Sequence, residues 1–164
     1  MYTIHGTKKL LDRVKQPLKP LDLESSTALG DWYATVIFWK PQVALFVNER
    51  TLFPVVLPLA PATTLADRFP AALHDVLSAL GVNPAFVETE TRLVAEHVYA
   101  KTANRSVVGI MNEFTFLAGH WRDGLPDGDL VALSLELAST PCSPLYKRHV
   151  SPDAELRALV DAAT

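Results

Sequence analysis

The sequence predicts an α+β fold: one domain over residues 1–164, with a mostly antiparallel sheet of four or five strands covered by helices. Three observations lead there. Residues 31–59 are dense in aromatic and β-branched side chains and are broken by proline turns. Residues 66–81 and 104–121 carry apolar side chains at the three-and-four spacing of a buried helix face. Strand-like segments fall early and helix-like ones late, the order of an α+β domain. A chain of 164 residues, 49% hydrophobic and 20% charged, matches one such unit and can bury a core without disulfides.

The elements follow in order. "YTIH" (2–5) is short and β-prone and ends at Gly6, which predicts a first strand. "TKKLLDRVK" then predicts a helix, with Thr7 as N-cap, Leu10, Leu11 and Val14 on one side, and Pro17 and Pro20 beyond its end. "DWYATVIFW" (31–39), "VALFVN" (43–48) and "LFPVVLPL" (52–59) predict a three-stranded meander turning at "KPQ" and "NERT". Pro54 and Pro58 mark the third strand as an edge or a bulged strand.

"ADRFPAALHDVLSALG" (66–81) predicts a helix with Asp67 as N-cap, Pro70 in the first turn and Gly81 as stop. "PAFVETETRLVA" (84–95) follows as a second helix behind Asn83, and "EHVYAKT" (96–102) as a strand. The next helix begins after Thr102 or Asn104. At 100° per residue, Val107, Ile110, Met111, Phe114, Leu117, Ala118 and Trp121 gather on a core face. "RDGLPDGD" (122–129) is a loop. "LVALSLELA" (130–138) fits a strand nearly as well as a helix. "SPDAELRALVDA" (151–162) closes the chain as a helix, with Ser151 as N-cap and Pro152 at N1.

Composition excludes several functions. Net charge −3 argues against bulk, non-specific nucleic-acid affinity, although Lys8, Lys9, Arg13, Lys15 and Lys19 stand against only Asp12 in the first twenty residues. The lone Cys142 precludes an internal disulfide and, with no signal-like N-terminus, points to the cytoplasm. No apolar run reaches membrane-spanning length, so no membrane is expected. His5, His74, His97, His120 and His149 lack the spacing of a metal-ligand pair, and no metal is expected. Neither a phosphate-binding glycine loop nor a GxSxG elbow occurs, and no cofactor is expected.

The polar side of the 104–121 helix is the candidate surface. Arg105, Gly109, Asn112 and Phe116 lie opposite the core face, flanked by Glu113 and His120. Gly109 in mid-helix costs about 1 kcal/mol relative to alanine, which suggests that something approaches closely there. Two readings compete. The side is a recognition surface for an anionic or amide-bearing group, or the segments after residue 122 cover it and Arg105 meets a buried acid such as Asp31.

The stretches "TKKLL" (7–11), "LGDWYA" (29–34), "LFVNERTLF" (45–53) and "KTANRSVVGIMNEF" (101–114) together resemble an uncharacterised family of small bacterial proteins classed as a domain of unknown function. The resemblance implies a shared fold and brings no activity with it. It singles out Thr7, Lys8, Asp31, Trp32, Tyr33, Asn48, Thr51, Lys101, Asn104, Arg105, Ser106 and Asn112 as the motif polar or aromatic positions.

Three functions follow as expectations. The first is a binding protein that holds a phosphate-bearing or nucleic-acid ligand with Lys8, Lys101, Arg105 and Asn112, with Trp32 or Tyr33 stacking. Asp31, Asn48, Asn104 and Ser106 complete that candidate set. The second is a metal-independent, nuclease-like enzyme with His97 as general base and Arg105 stabilising charge. The third is a subunit whose apparent site is an interface with a protein partner.

Overall fold

Side chains that alternate between the two covered faces of a five-stranded sheet divide the molecule into two hydrophobic cores. The computed structural model describes residues 1–20, 23–126 and 128–164. Strands β1 (Tyr2–Gly6), β2 (Trp32–Ile37), β3 (Val43–Asn48), β4 (Pro54–Pro58) and β5 (His97–Lys101) run in the order β4-β3-β2-β1-β5. On one face Tyr2, Ile4, Trp32, Ala34, Phe46 and Val55 pack against α1 (Lys8–Val14), α2 (Leu65–Leu80), α3 (Pro84–Leu93) and α6 (Pro152–Ala163). On the other, Tyr33, Ile37, Leu45 and Val47 pack against α4 (Arg105–Trp121). This is a single compact α+β domain.

The sheet is mixed where mostly antiparallel pairing was expected. β2, β3 and β4 form the antiparallel meander, with Tyr33 opposite Val47 and Phe46 opposite Val55. β1 lies inside the sheet, between β2 and β5, and runs parallel to both, pairing Gly6 with Ala34 on one side and with Lys101 on the other. Parallel pairs need long crossovers, here through α1 and through α2 and α3. No local pattern records which distant strands those crossovers bring together.

Two local expectations also shift, and one ambiguity is resolved. α2 starts at Leu65 behind Thr64, so Asp67 is inside the first turn and Pro70 inside the helix. Trp121 is partly exposed and Leu117 half-buried, so the α4 core face ends at Ala118. Residues 130–138 form a helix, α5 (Leu130–Ala138), because Asp129 Oδ1 caps it by accepting from Ala132 N at 2.9 Å.

α5 runs along the exposed side of β4. Its buried Ser134 hydroxyl accepts from Val56 N at 2.9 Å and donates to Leu130 O at 2.8 Å, satisfying an edge amide that would otherwise face another chain. Ser134→Ala is expected to cost about 1–3 kcal/mol by orphaning that amide. A lower urea midpoint together with faster hydrogen exchange at Val56 would report it; an unchanged midpoint would show that water replaces the hydroxyl.

Candidate functional site

β1 and β5 are adjacent and parallel, and each passes almost at once into a helix. β1 leads through Thr7 into α1, whose Leu10 and Val14 join the first core. β5 leads through residues 102–104 into α4, whose Val107, Ile110, Met111 and Phe114 join the second. The two helices therefore leave the same edge of the sheet toward opposite faces. In open sheets that divergence leaves a crevice outside the carboxyl ends of the strands, where ligands bind.

The sequence motifs converge here. Gly6 pairs with Lys101, so Thr7 and Lys8 follow β1 beside the residues that follow β5. Lys8, Lys101, Asn104, Arg105 and Ser106 are all exposed. Lys101 and Arg105 have no carboxylate partner among the described residues. Lys8 pairs with Asp12 at 2.9 Å, a solvent-exposed i,i+4 contact of the kind that opens at little cost. Asn104 caps α4: its Oδ1 accepts from Ser106 N at 2.9 Å and Val107 N at 3.3 Å, and its side-chain amide nitrogen has no partner among the described residues.

Beneath this turn sits a histidine that the sequence did not single out. His5 is buried, with Nδ1 3.0 Å from Lys101 O and Nε2 3.3 Å from Asp31 Oδ2. Both partners are acceptors, so both ring nitrogens must carry protons to satisfy them. Burial by itself lowers the His5 pKa. The hydrogen bonds to Asp31 and to the Lys101 carbonyl, with the charges of Asp31 and Glu49, outweigh it and leave the pKa raised above the usual histidine value. The ring stacks on Tyr33 at 4.6 Å, and the Tyr33 hydroxyl accepts from Asn104 N at 2.8 Å. His5 and Tyr33 thus hold the β5–α4 turn from below. A polar position at alternate residues of "YTIHG" was the only sequence sign of this role.

Several expected ligand contacts are structural instead. Trp32 is 0% exposed and packs edge-on against Phe69, so it reaches no ligand. Tyr33 is buried and spends its hydroxyl on Asn104, which removes it as a stacking platform. Asp31 accepts from Thr3 N at 2.9 Å and pairs with His5, not with Arg105. Asn48 is fully buried. Its Nδ2 donates to Leu29 O and Asp31 O, while its Oδ1 accepts from Arg50 N, Thr51 N and Thr51 Oγ1.

His97 lies at the opposite end of β5 from Lys101, about 13 Å away at strand rise. It is half-buried beside Tyr99, and burial lowers its pKa despite Asp67. A base there cannot share a phosphate with Arg105, so the residues chosen for the nuclease reading do not meet. Asn112 sits two turns along α4 from Arg105, about 10 Å from it, and belongs to a different patch.

The polar side of α4 is open. Arg105, Gly109, Asn112, Glu113 and His120 are exposed and Phe116 is 79% exposed, so the segments after residue 122 do not cover it. They pack beside β4 and against both cores.

A family profile described as Domain of unknown function (DUF6933) matches residues 3–155. The chain belongs to this family. The matched span includes all of the strands except Tyr2, and the motif positions from Thr7 to Ser106. No curated protein and no solved structure matches the chain.

Proposed function

We propose that the protein binds a phosphate-bearing ligand, a nucleotide or a short single-stranded nucleic acid, across the carboxyl ends of β1 and β5. The observation that carries this reading is the switch point itself: two parallel strands whose helices diverge, ringed by the exposed cations Lys8, Lys101 and Arg105. The Ser106 hydroxyl and the Asn104 amide nitrogen add neutral donors. Phe38, 59% exposed with Lys9 Nζ 5.6 Å from its ring centre, offers a stacking surface near α1 in place of Trp32 and Tyr33. The lone buried Cys142, its thiol pushed up to about 11 by burial and by Glu113, suits a reducing cytoplasm. Among the described residues, no helix is long and apolar enough to cross a membrane.

The test is fluorescence anisotropy with a labelled twelve-nucleotide oligothymidylate at several salt concentrations. Binding is expected to weaken steeply with salt. Lys101→Ala and Arg105→Ala should each reduce affinity about tenfold and lower the salt slope by about one. The reading fails if no binding appears at low salt, or if both variants bind as the parent does.

A further inference from the structure

We propose that the protein pairs with a second copy of itself through the outer face of α4, Phe116 of each chain seating over Gly109 of the other. This inference does not rest on the ligand reading, because neither Phe116 nor Gly109 is among the residues assigned to the ligand.

Two anomalies on that face are complementary. Phe116 is a large ring left 79% exposed on a helix whose opposite side is well packed. Gly109 is a mid-helix glycine with a negative φ, and a Cβ built on it meets nothing within 4 Å. The backbone therefore does not require glycine there, and no neighbour within the chain excludes a side chain. Glycine nevertheless costs the helix about 1 kcal/mol relative to alanine. A ring without cover and a hole without an occupant stand seven residues apart. That spacing is about 10 Å along the axis and about 20° around it, so both lie on one stripe.

A twofold axis perpendicular to the helix, midway between them, makes the stripe self-complementary. It brings Phe116 over Gly109 of the partner subunit, and the reverse, in one step. The same operation sets Asn112 against Glu113 of the partner subunit, an amide donor facing a carboxylate. Asn112 and Glu113 are exposed, and among the described residues neither side chain has a hydrogen-bonding or ionic partner within the chain. With Phe116 and Leu117 they line a shallow open depression on this face. Arg105 falls at the outer end of the footprint.

The area sets the strength. Seventeen residues give a helix about 25 Å long, and a face about 10 Å wide covers roughly 250 Å² in plan. Stable interfaces hide about 800 Å² on each partner. The pair should therefore be weak, with a dissociation constant of roughly 0.1–1 mM.

Sedimentation equilibrium on the full chain from about 10 μM to about 1 mM tests this. The parent should show a mass rising with concentration toward twice the monomer. Gly109→Phe fills the hole and Phe116→Gly removes the knob, and each should weaken association at least tenfold. Both sites face solvent, so circular dichroism should show the parent's fold in each. The double variant Gly109→Phe/Phe116→Gly exchanges knob and hole about the same axis and should recover association to within about threefold of the parent. A parent that stays monomeric throughout, or a double variant no stronger than either single one, overturns the proposal.

Discussion

Replacing Asn48 with alanine should cost about 3–5 kcal/mol, a large share of the 5–15 kcal/mol that holds a domain of this size together. The cause is the number of groups that depend on one side chain. Asn48 Nδ2 serves the carbonyls of Leu29 and Asp31 at 2.9 and 3.3 Å, joining the lead-in to β2 to the end of β3. Its Oδ1 receives Arg50 N, Thr51 N and Thr51 Oγ1 at 3.1, 3.0 and 3.0 Å. These bonds set the "NERT" turn, directly after which Leu52 takes φ 61°, a left-handed conformation that disfavours an L side chain. Alanine leaves these groups without their partner, and the bonds to Leu29 O, Thr51 N and Thr51 Oγ1 are fully buried. Urea unfolding followed by circular dichroism measures the loss. A change under 1 kcal/mol would mean that the turn holds without its asparagine.

The second large effect is expected at His5. His5→Ala should cost about 3 kcal/mol, because removing one partner leaves the Asp31 carboxylate, 13% exposed, without its cation. The pH dependence is specific. The folded-state pKa of His5 is raised, so its stabilisation is complete below the unfolded value of about 6.5 and fades as pH rises through the higher folded value. His97 works in reverse: its folded pKa is lowered, so it costs stability as pH falls below the unfolded value. The readout is therefore the stability of the parent minus that of His5→Gln, which cancels His97. The difference should be largest near pH 6 and shrink on the alkaline side. A difference independent of pH would assign His5 a packing role only. Hydrogen exchange at residues 102–104 should rise in His5→Ala, since the Lys101 carbonyl loses its donor.

Much of the architecture was legible because its causes are local. Asn83 and Asn104 lie immediately before their helices and accept from the amides that start them. Gly81 ends α2 at φ 86°. Pro54 and Pro58 bound a strand at the sheet edge, as residues lacking an N–H must. The ambiguous segment 130–138 starts as a helix at its Asp129 cap and sets Ser134 against the edge of β4.

The candidate site was legible in part. Lys8, Lys101, Asn104, Arg105 and Ser106 stood out as motif positions, and the fold brings them to one edge. Trp32, Tyr33, Asp31 and Asn48 stood out equally, yet they support the turns from inside. A motif of polar and aromatic residues has the same appearance whether it touches a ligand or anchors a loop, because both duties demand hydrogen-bonding groups in fixed places.

By itself, the sequence determined the α+β class, nearly all of the helices and strands, and the apolar side of each, since periodicity and capping act over a few residues. Only the tertiary structure decided that β1 lies between two parallel neighbours, that α1 and α4 part to opposite faces, and that His5 rather than Arg105 meets Asp31. Those outcomes depend on pairings some 26 to 96 residues apart along the chain. They are settled by which buried surfaces and hydrogen-bonding groups fit together once the whole chain has closed on itself.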